Sequence, residues 1–266
     1  EHVRTRQLRK QAHVQGKPQL RTIHHLACTG GTVISKCLAA MPDLALISEV
    51  NPFNRYGSEF EPTNPLLLLE KSYRILSTDE IIEDFVRQVA HTYQICQLDD
   101  VDLIIRDHSH TDFCMGTAPL MQCPIANYLG GDYELISVIT VRHPLDSYLG
   151  LLAQDWEKQF SPSTLDEYSH RYLAFLNRYT FLPVLRYEDF CTNPESFMIN
   201  LCDLMQISYS AGFIGRFGKF ALAGDSGRKG VDMIQPRPRR AVPEQVEVEI
   251  KSSIAYSKLL NALGYA

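Results

Sequence analysis

The sequence has one tryptophan, Trp156, and no apolar run near the ~20 residues that a membrane-spanning helix needs. The longest clean apolar runs, such as Cys37 to Met41, fall far short. Its seven cysteines (Cys28, Cys37, Cys96, Cys114, Cys123, Cys191 and Cys202) form no CxxC pair, and the count is odd. This excludes a disulfide framework and the usual spacing of a zinc site, and predicts reduced, partly buried thiols. An excess of positive charge is also missing. Lys plus Arg total 26 against 31 Asp plus Glu, a net charge of −5, whereas a chain that coats nucleic acid is basic. There is no internal repeat and no low-complexity tract. No signal-peptide pattern opens the chain, so a cytoplasmic protein, or a soluble domain of a larger one, is expected.

What is there is globular: 45% hydrophobic and 21% charged residues over 266 positions, enough chain to bury a core without staples. Residues 1–20 read as a polar, basic arm, and residues 21–266 as one domain. Six basic residues fall within residues 1–21 and five within 228–240. Local basic clusters on an acidic chain suit a small anionic ligand better than a polymer.

Short apolar runs alternate with helical patterns. Strands are expected at Thr22–Ala27, Leu44–Ile47, Val101–Ile105, Leu135–Val141 and Leu182–Leu185. Helices are expected at Val33–Met41, from Thr78 to about Ile95, after Pro144, at Thr164–Tyr179, from Pro194 to about Met205 and from Pro243 to Leu263. Continuous apolar strands between helices predict a three-layer α/β/α domain with a central parallel sheet, whose ligands bind beyond the carboxyl ends of the strands.

The strand ends carry the chemistry. The first runs into Cys28-Thr29-Gly30-Gly31-Thr32 and then a helix, a phosphate cradle by physics, because free N–H groups and the positive end of the helix dipole meet there. It is not a Walker A loop, since GxxxxGK[ST] is absent. The second ends near Ser48-Glu49-Val50, and the third in Arg106-Asp107-His108. The fourth ends in Arg142-His143-Pro144, where the arginine is either an anion clamp or a partner for Asp146. The fifth leads to Arg186-Tyr187-Glu188-Asp189, whose carboxylates are either acids for chemistry or, more often at such places, partners of a nearby arginine at the sheet edge. Arg228-Lys229-Gly230 lies in a glycine-flanked loop that is either a solvated linker or an anion-binding lid.

In order, these motifs resemble the sulfotransferases that use 3′-phosphoadenosine-5′-phosphosulfate (PAPS), over roughly Thr22 to Arg240. The resemblance implies a P-loop-like fold in which Cys28, Thr29, Gly30, Gly31 and Thr32 hold the 5′-phosphosulfate. Arg142, Arg228, Lys229 and Gly230 would then meet the 3′-phosphate. It implies transfer of a sulfuryl group from PAPS, leaving PAP, to a hydroxyl or amine of a carbohydrate or small metabolite. No metal is required, since fixed cations neutralise the charge. His108 is the first candidate base, Glu49 its rival, and Arg106 a charge stabiliser. Two positions depart from the family pattern. Cys28 stands where a Lys or Arg is usual, and Gly150 stands where a serine usually follows the clamp arginine, with Ser147 as its nearest substitute. A catalytically degenerate binding module of the same fold is therefore the alternative reading, and a P-loop small-molecule kinase a more distant one. The segment around Asn51–Asn64, with Phe53, Arg55 and Tyr56, and residues 154–164 with Trp156 are expected to face the acceptor. Neither the acceptor nor the oligomeric state is legible.

Overall fold

The structure, a computed structural model, describes residues 16–53, 65–119, 124–224 and 234–265. Five strands form one parallel sheet: β1 (Gln19–His24), β2 (Leu44–Val50), β3 (Asp102–Asp107), β4 (Glu134–Val141) and β5 (Val184–Arg186), in spatial order β2-β3-β1-β4-β5. The helices are α1 (Gly31–Ala39), α2 (Pro65–Ser72), α3 (Thr78–Leu98), α4 (Ser109–Phe113), α5 (Pro124–Leu129), α6 (Pro144–Leu152), α7 (Leu165–Arg178), α8 (Tyr187–Thr192), α9 (Pro194–Met205), α10 (Glu244–Ser252) and α11 (Ile254–Leu263).

Side chains alternate across each strand, so each strand feeds two layers. Ile23, Ile104, Val138 and Leu185 pack with Ile34, Cys37 and Leu38 of α1 and with Phe197, Leu201 and Met205 of α9. On the opposite face, Leu103 and Ile105 meet Val89, Tyr93 and Cys96 of α3, while Ile139 and Val141 meet α6, α7 and α11. This is the three-layer α/β/α arrangement with a central parallel sheet that the sequence predicts. Strand order changes direction at β1, where the β1–α1 turn opens between β3 and β4, the place such sheets bind ligands.

The differences from expectation have local causes. β1 begins at Gln19, inside the segment read as the arm, and ends at His24; Ala27 belongs to the turn. The start is masked in sequence by Arg21, which is buried. Its guanidinium donates to the carbonyls of Met205 and Gln206 and to Asp102 (2.8, 3.1 and 3.0 Å). Lys17 and Pro18 also join the fold, through the carbonyl of Gly130 and the N–H of Glu134. The helix expected over 243–263 is two helices. Ser253 ends α10 in an extended conformation and caps α11, its hydroxyl accepting from the N–H of Tyr256. The short helices α4, α5 and α8 carry too few turns for their period to show.

No helix among the described residues is long and apolar enough to cross a membrane. The remainder of the arm (1–15), Arg55 and Tyr56, and Arg228, Lys229 and Gly230 lie outside the described residues.

Candidate active site

The turn after β1 is tightly constrained. Cys28 and Gly30 take left-handed backbone angles (φ 62° and 87°), and Gly30 caps α1. Thr29 turns inward and donates its hydroxyl to the carbonyl of Leu26 at 2.7 Å. The two glycines are required by aromatic rings. A Cβ on Gly30 would lie 2.2 Å from the Tyr187 ring, and one on Gly31 would lie 2.1 Å from His25 Nε2. The first-turn N–H groups of α1 face the strand ends with no intrahelical partner, as at any helix start. With the dipole, they form a cradle for an anion.

Arg142 leaves β4 at the rim of this cradle. Its NH1 donates to the carbonyl of Cys28 (3.1 Å), and its guanidinium lies 5.0 Å from the centroid of the Tyr187 ring. It is not the partner of Asp146, whose carboxylate is held at both oxygens by Arg239 (2.8 and 3.1 Å). Tyr172 fixes the Arg142 backbone by donating to its carbonyl. Glu188 accepts from the His143 N–H and from the Tyr265 hydroxyl, which makes it structural, as the sequence suggests.

The ends of β2 and β3 supply the second half of the site. Successive strand residues normally point to opposite faces, yet Ser48 and Glu49 both reach Arg106. A register shift between Ile47 and Val50 and the left-handed Glu49 (φ 61°) make this possible. Such bulges recur beside active sites, where they re-aim a side chain. Arg106 is buried and spends all its donors on protein. Nε donates to His25 Nε2 (2.9 Å), NH1 to the Ser48 hydroxyl (2.8 Å) and the Ala223 carbonyl (3.3 Å), and NH2 to the Thr32 hydroxyl (3.0 Å) and Glu49 (2.7 Å). Glu49 turns its other oxygen to His108 Nε2 at 3.1 Å. The second ring nitrogen of His108 sits 2.8 Å from the Thr111 hydroxyl. Burial holds the His108 imidazole below its ordinary range, against the opposing pull of the Glu49 charge. Gly224, also left-handed, closes over this group; a Cβ there would lie 2.0 Å from Glu49 Oε1.

The structure thus joins Glu49, Arg106 and His108 in one cluster and ties it to the cradle through Thr32. It does not bring Ser147 there. That side chain is fully buried in α6, donating to the Pro144 carbonyl and accepting from the Tyr168 hydroxyl (2.9 Å each). The two departures from the family pattern are neighbours: a Cβ on Gly150 would lie 2.8 Å from Cys28 Cβ. A small residue at 150 is what lets Cys28 turn inward. Trp156 packs against the hydrophobic core, and Phe53 makes an edge contact with Tyr128.

Sequence reasoning missed His25, Ser48 and Tyr187, which position the site, and a buried network under it. His24 Nδ1 lies 2.9 Å from Asp107 Oδ2, which also accepts from Ser109 (2.7 Å), while Thr22 bridges His24 and Ser137. The adjacent histidines 24 and 25 were the available signal. Beside them, Asp112 is buried, accepts from Asn51 (3.0 Å) and has its acidity weakened to a pKa of about 8, first by burial and then by Asp107.

Among the described residues, no group of three or more His, Cys, Asp or Glu is placed to hold a metal. No family model matches the chain, and no curated protein matches it in sequence. Solved structures do. The sulfotransferase domain from the curacin biosynthetic pathway superposes with a TM-score of 0.58 at 15% identity, covering 94% of this chain and 98% of that one. The sulfotransferase domain from the Synechococcus PCC 7002 olefin synthase gives 0.53 at 14% identity, covering 95% and 97%. The β1–α1 cradle, the parallel sheet and the full-length correspondence assign the chain the sulfotransferase fold.

Proposed function

We propose that the protein transfers a sulfuryl group from PAPS to a hydroxyl or amine of a carbohydrate or other small metabolite. The observation that carries this is the junction at the strand ends, where the N-terminus of α1, Arg142 and the Glu49–Arg106–His108 cluster converge. The cradle suits the donor. Backbone N–H groups of the Cys28–Thr32 turn would hold the 5′-phosphosulfate, and Arg142 the 3′-phosphate, joined by Arg228, Lys229 and Gly230 on the family resemblance. PAPS, when bound, supplies the sulfuryl group and a phosphate leaving group.

The chain's own work is positioning and electrostatics. Both ring nitrogens of His108 are engaged, by Glu49 and by Thr111, whereas each Glu49 oxygen has a single polar partner among the described residues, Arg106 or His108, and so keeps a lone pair. Glu49 is therefore the atom set best placed to take the acceptor's proton, with His108 orienting it and sharing its charge. This reverses the order of candidates that the sequence suggested. Arg106, whose five N–H groups are already taken, holds Glu49 and the first turn of α1 in register and does not itself reach for the substrate.

A binding module without turnover is the second reading, favoured by Cys28 at the position where a basic residue would meet the leaving phosphate. A transfer assay with PAPS and a panel of hydroxyl and amine acceptors, read by mass spectrometry, separates the two. Turnover that falls by about 10²–10⁴ in Glu49→Gln supports the enzyme. PAP binding without turnover in the parent, with turnover appearing in Cys28→Lys, supports the binding module.

A further inference from the structure

β1 ends at His24, and the next side chain, His25, turns into the protein beneath the first turn of α1. Its ring lies so close to Gly31 that a Cβ there would sit 2.1 Å from Nε2. That same nitrogen is 2.9 Å from Arg106 Nε. A guanidinium is always a donor and never an acceptor, so His25 Nε2 must be the unprotonated, accepting nitrogen. The ring proton is then on Nδ1, which is buried and has no hydrogen-bond partner. The charged and titratable groups facing the ring are Arg106, His24 and His108; burial first, then the charge of Arg106, holds its pKa well below 6.5.

The consequence lies at the other end of the guanidinium. Nε is the point where the planar fork joins its stem, so a bond there fixes the plane of the whole group. The remaining four N–H groups reach Ser48, Ala223, Thr32 and Glu49. We propose that His25 is a positioning residue, an imidazole whose accepting Nε2 locks the Arg106 guanidinium and so sets the angle at which Arg106 holds Glu49 beside the cradle. The activity part of this inference rests on the sulfuryl-transfer reading; the hydrogen-bond part does not. A lysine at 106 would have no plane to lock, and a charged His25 would repel Arg106. The buried Nδ1–H with no partner is then the cost of an acceptor placed at Nε2.

Two measurements on the full chain test this. Side-chain nitrogen NMR reads the tautomer directly: His25 is expected to be the Nδ1–H form, and still uncharged at pH 6.5, where an ordinary imidazole is half protonated. An Nε2–H tautomer, or an imidazolium at that pH, would overturn the proposal. Second, His25→Leu, His25→Asn and His25→Gln are compared. The glutamine amide oxygen reaches the place of Nε2, and the shorter asparagine does not. His25→Leu is expected to lower turnover about 100-fold while PAP affinity stays within about threefold, because misplacing a catalytic group costs rate without removing ground-state contacts. His25→Gln should recover at least about tenfold of that loss and His25→Asn should not, a comparison that survives if the leucine variant fails to fold. Equal impairment of Gln and Asn variants, or parental turnover in His25→Leu, would contradict the assignment. If the parent itself proves inactive, exchange of the Arg106 Nε–H decides. It should be slow in the parent and in His25→Gln, and faster by about tenfold or more in His25→Asn; equal rates in all three would sink the proposal.

Discussion

The two halves of the site are built by different physics. At the cradle, shape decides: Gly30 and Gly31 are glycine because the rings of Tyr187 and His25 leave no room for a Cβ, and Cys28 fits because Gly150 has none. At the ends of β2 and β3, charge decides: Arg106, Glu49 and His108 neutralise and orient one another behind a bulge. A packing-built half tolerates unusual residue types as long as volumes match, which is how Cys28 can stand where a cation is usual. A charge-built half does not tolerate loss of a partner, since the partner left behind is buried and uncompensated.

The largest test of that contrast is Arg106→Ala. It strips donors from His25, Ser48, Thr32 and Glu49 together. Stability should fall by about 3–5 kcal/mol, as for breaking other buried ion pairs, and any turnover should vanish with it. A change under about 1 kcal/mol by chemical denaturation, the size of an exposed pair, would show that the cluster is solvated and not structural.

Next comes the cradle. Gly150→Ser restores the residue type the family pattern has, but its Cβ would collide with Cys28 Cβ. A loss of about 1–3 kcal/mol is expected, the usual cost of overpacking. Cys28→Gly, in the double variant, should relieve part of it, since contacting residues couple by about 0.5–3 kcal/mol. Additive losses would mean that the two departures are independent.

The smallest effect is a pH slope. Asp112 stays protonated in the folded protein up to about pH 8, against an ordinary 3.8 when unfolded. Between those values the folded state binds the extra proton, so stability falls as pH rises. Asp112→Asn removes that dependence and should gain on the parent by ~1.4 kcal/mol per pH unit at most across the window. Parallel stability curves for the two proteins would show that Asp112 is ionised in the fold.

Much of this was legible in the sequence. Apolar runs of five strands with helices between them gave the layers, and the helix starts expected at Thr78 and Pro194 are those of the structure, capped by Ser77 and Asn193. The chemistry-bearing strand ends could be read because a charged residue after an apolar strand has nowhere to go but the end of the sheet. Glu49, Arg106 and His108 were named separately, and the fold joins them. Arg21 hid the start of β1 because a buried arginine looks like a loop residue until its carbonyl partners, 184 and 185 positions away, are known. His25 stood out only as one of two adjacent histidines, with nothing local to say what it does. Its role depends on Gly31 and Arg106 arriving beside it, and no local pattern encodes that. Ser147 showed the opposite failure: the right residue type close by in sequence, but a side chain turned into α6 and its core.

The most direct measurement is calorimetric titration of the chain with PAP, beside ATP·Mg²⁺, at two salt concentrations and in parallel with Arg142→Ala. The account predicts micromolar PAP binding that weakens with salt, exceeds ATP binding and drops at least about tenfold in Arg142→Ala, with folding unchanged. No PAP binding, or binding indifferent to Arg142, would contradict the cradle as a 3′-phosphoadenosine site.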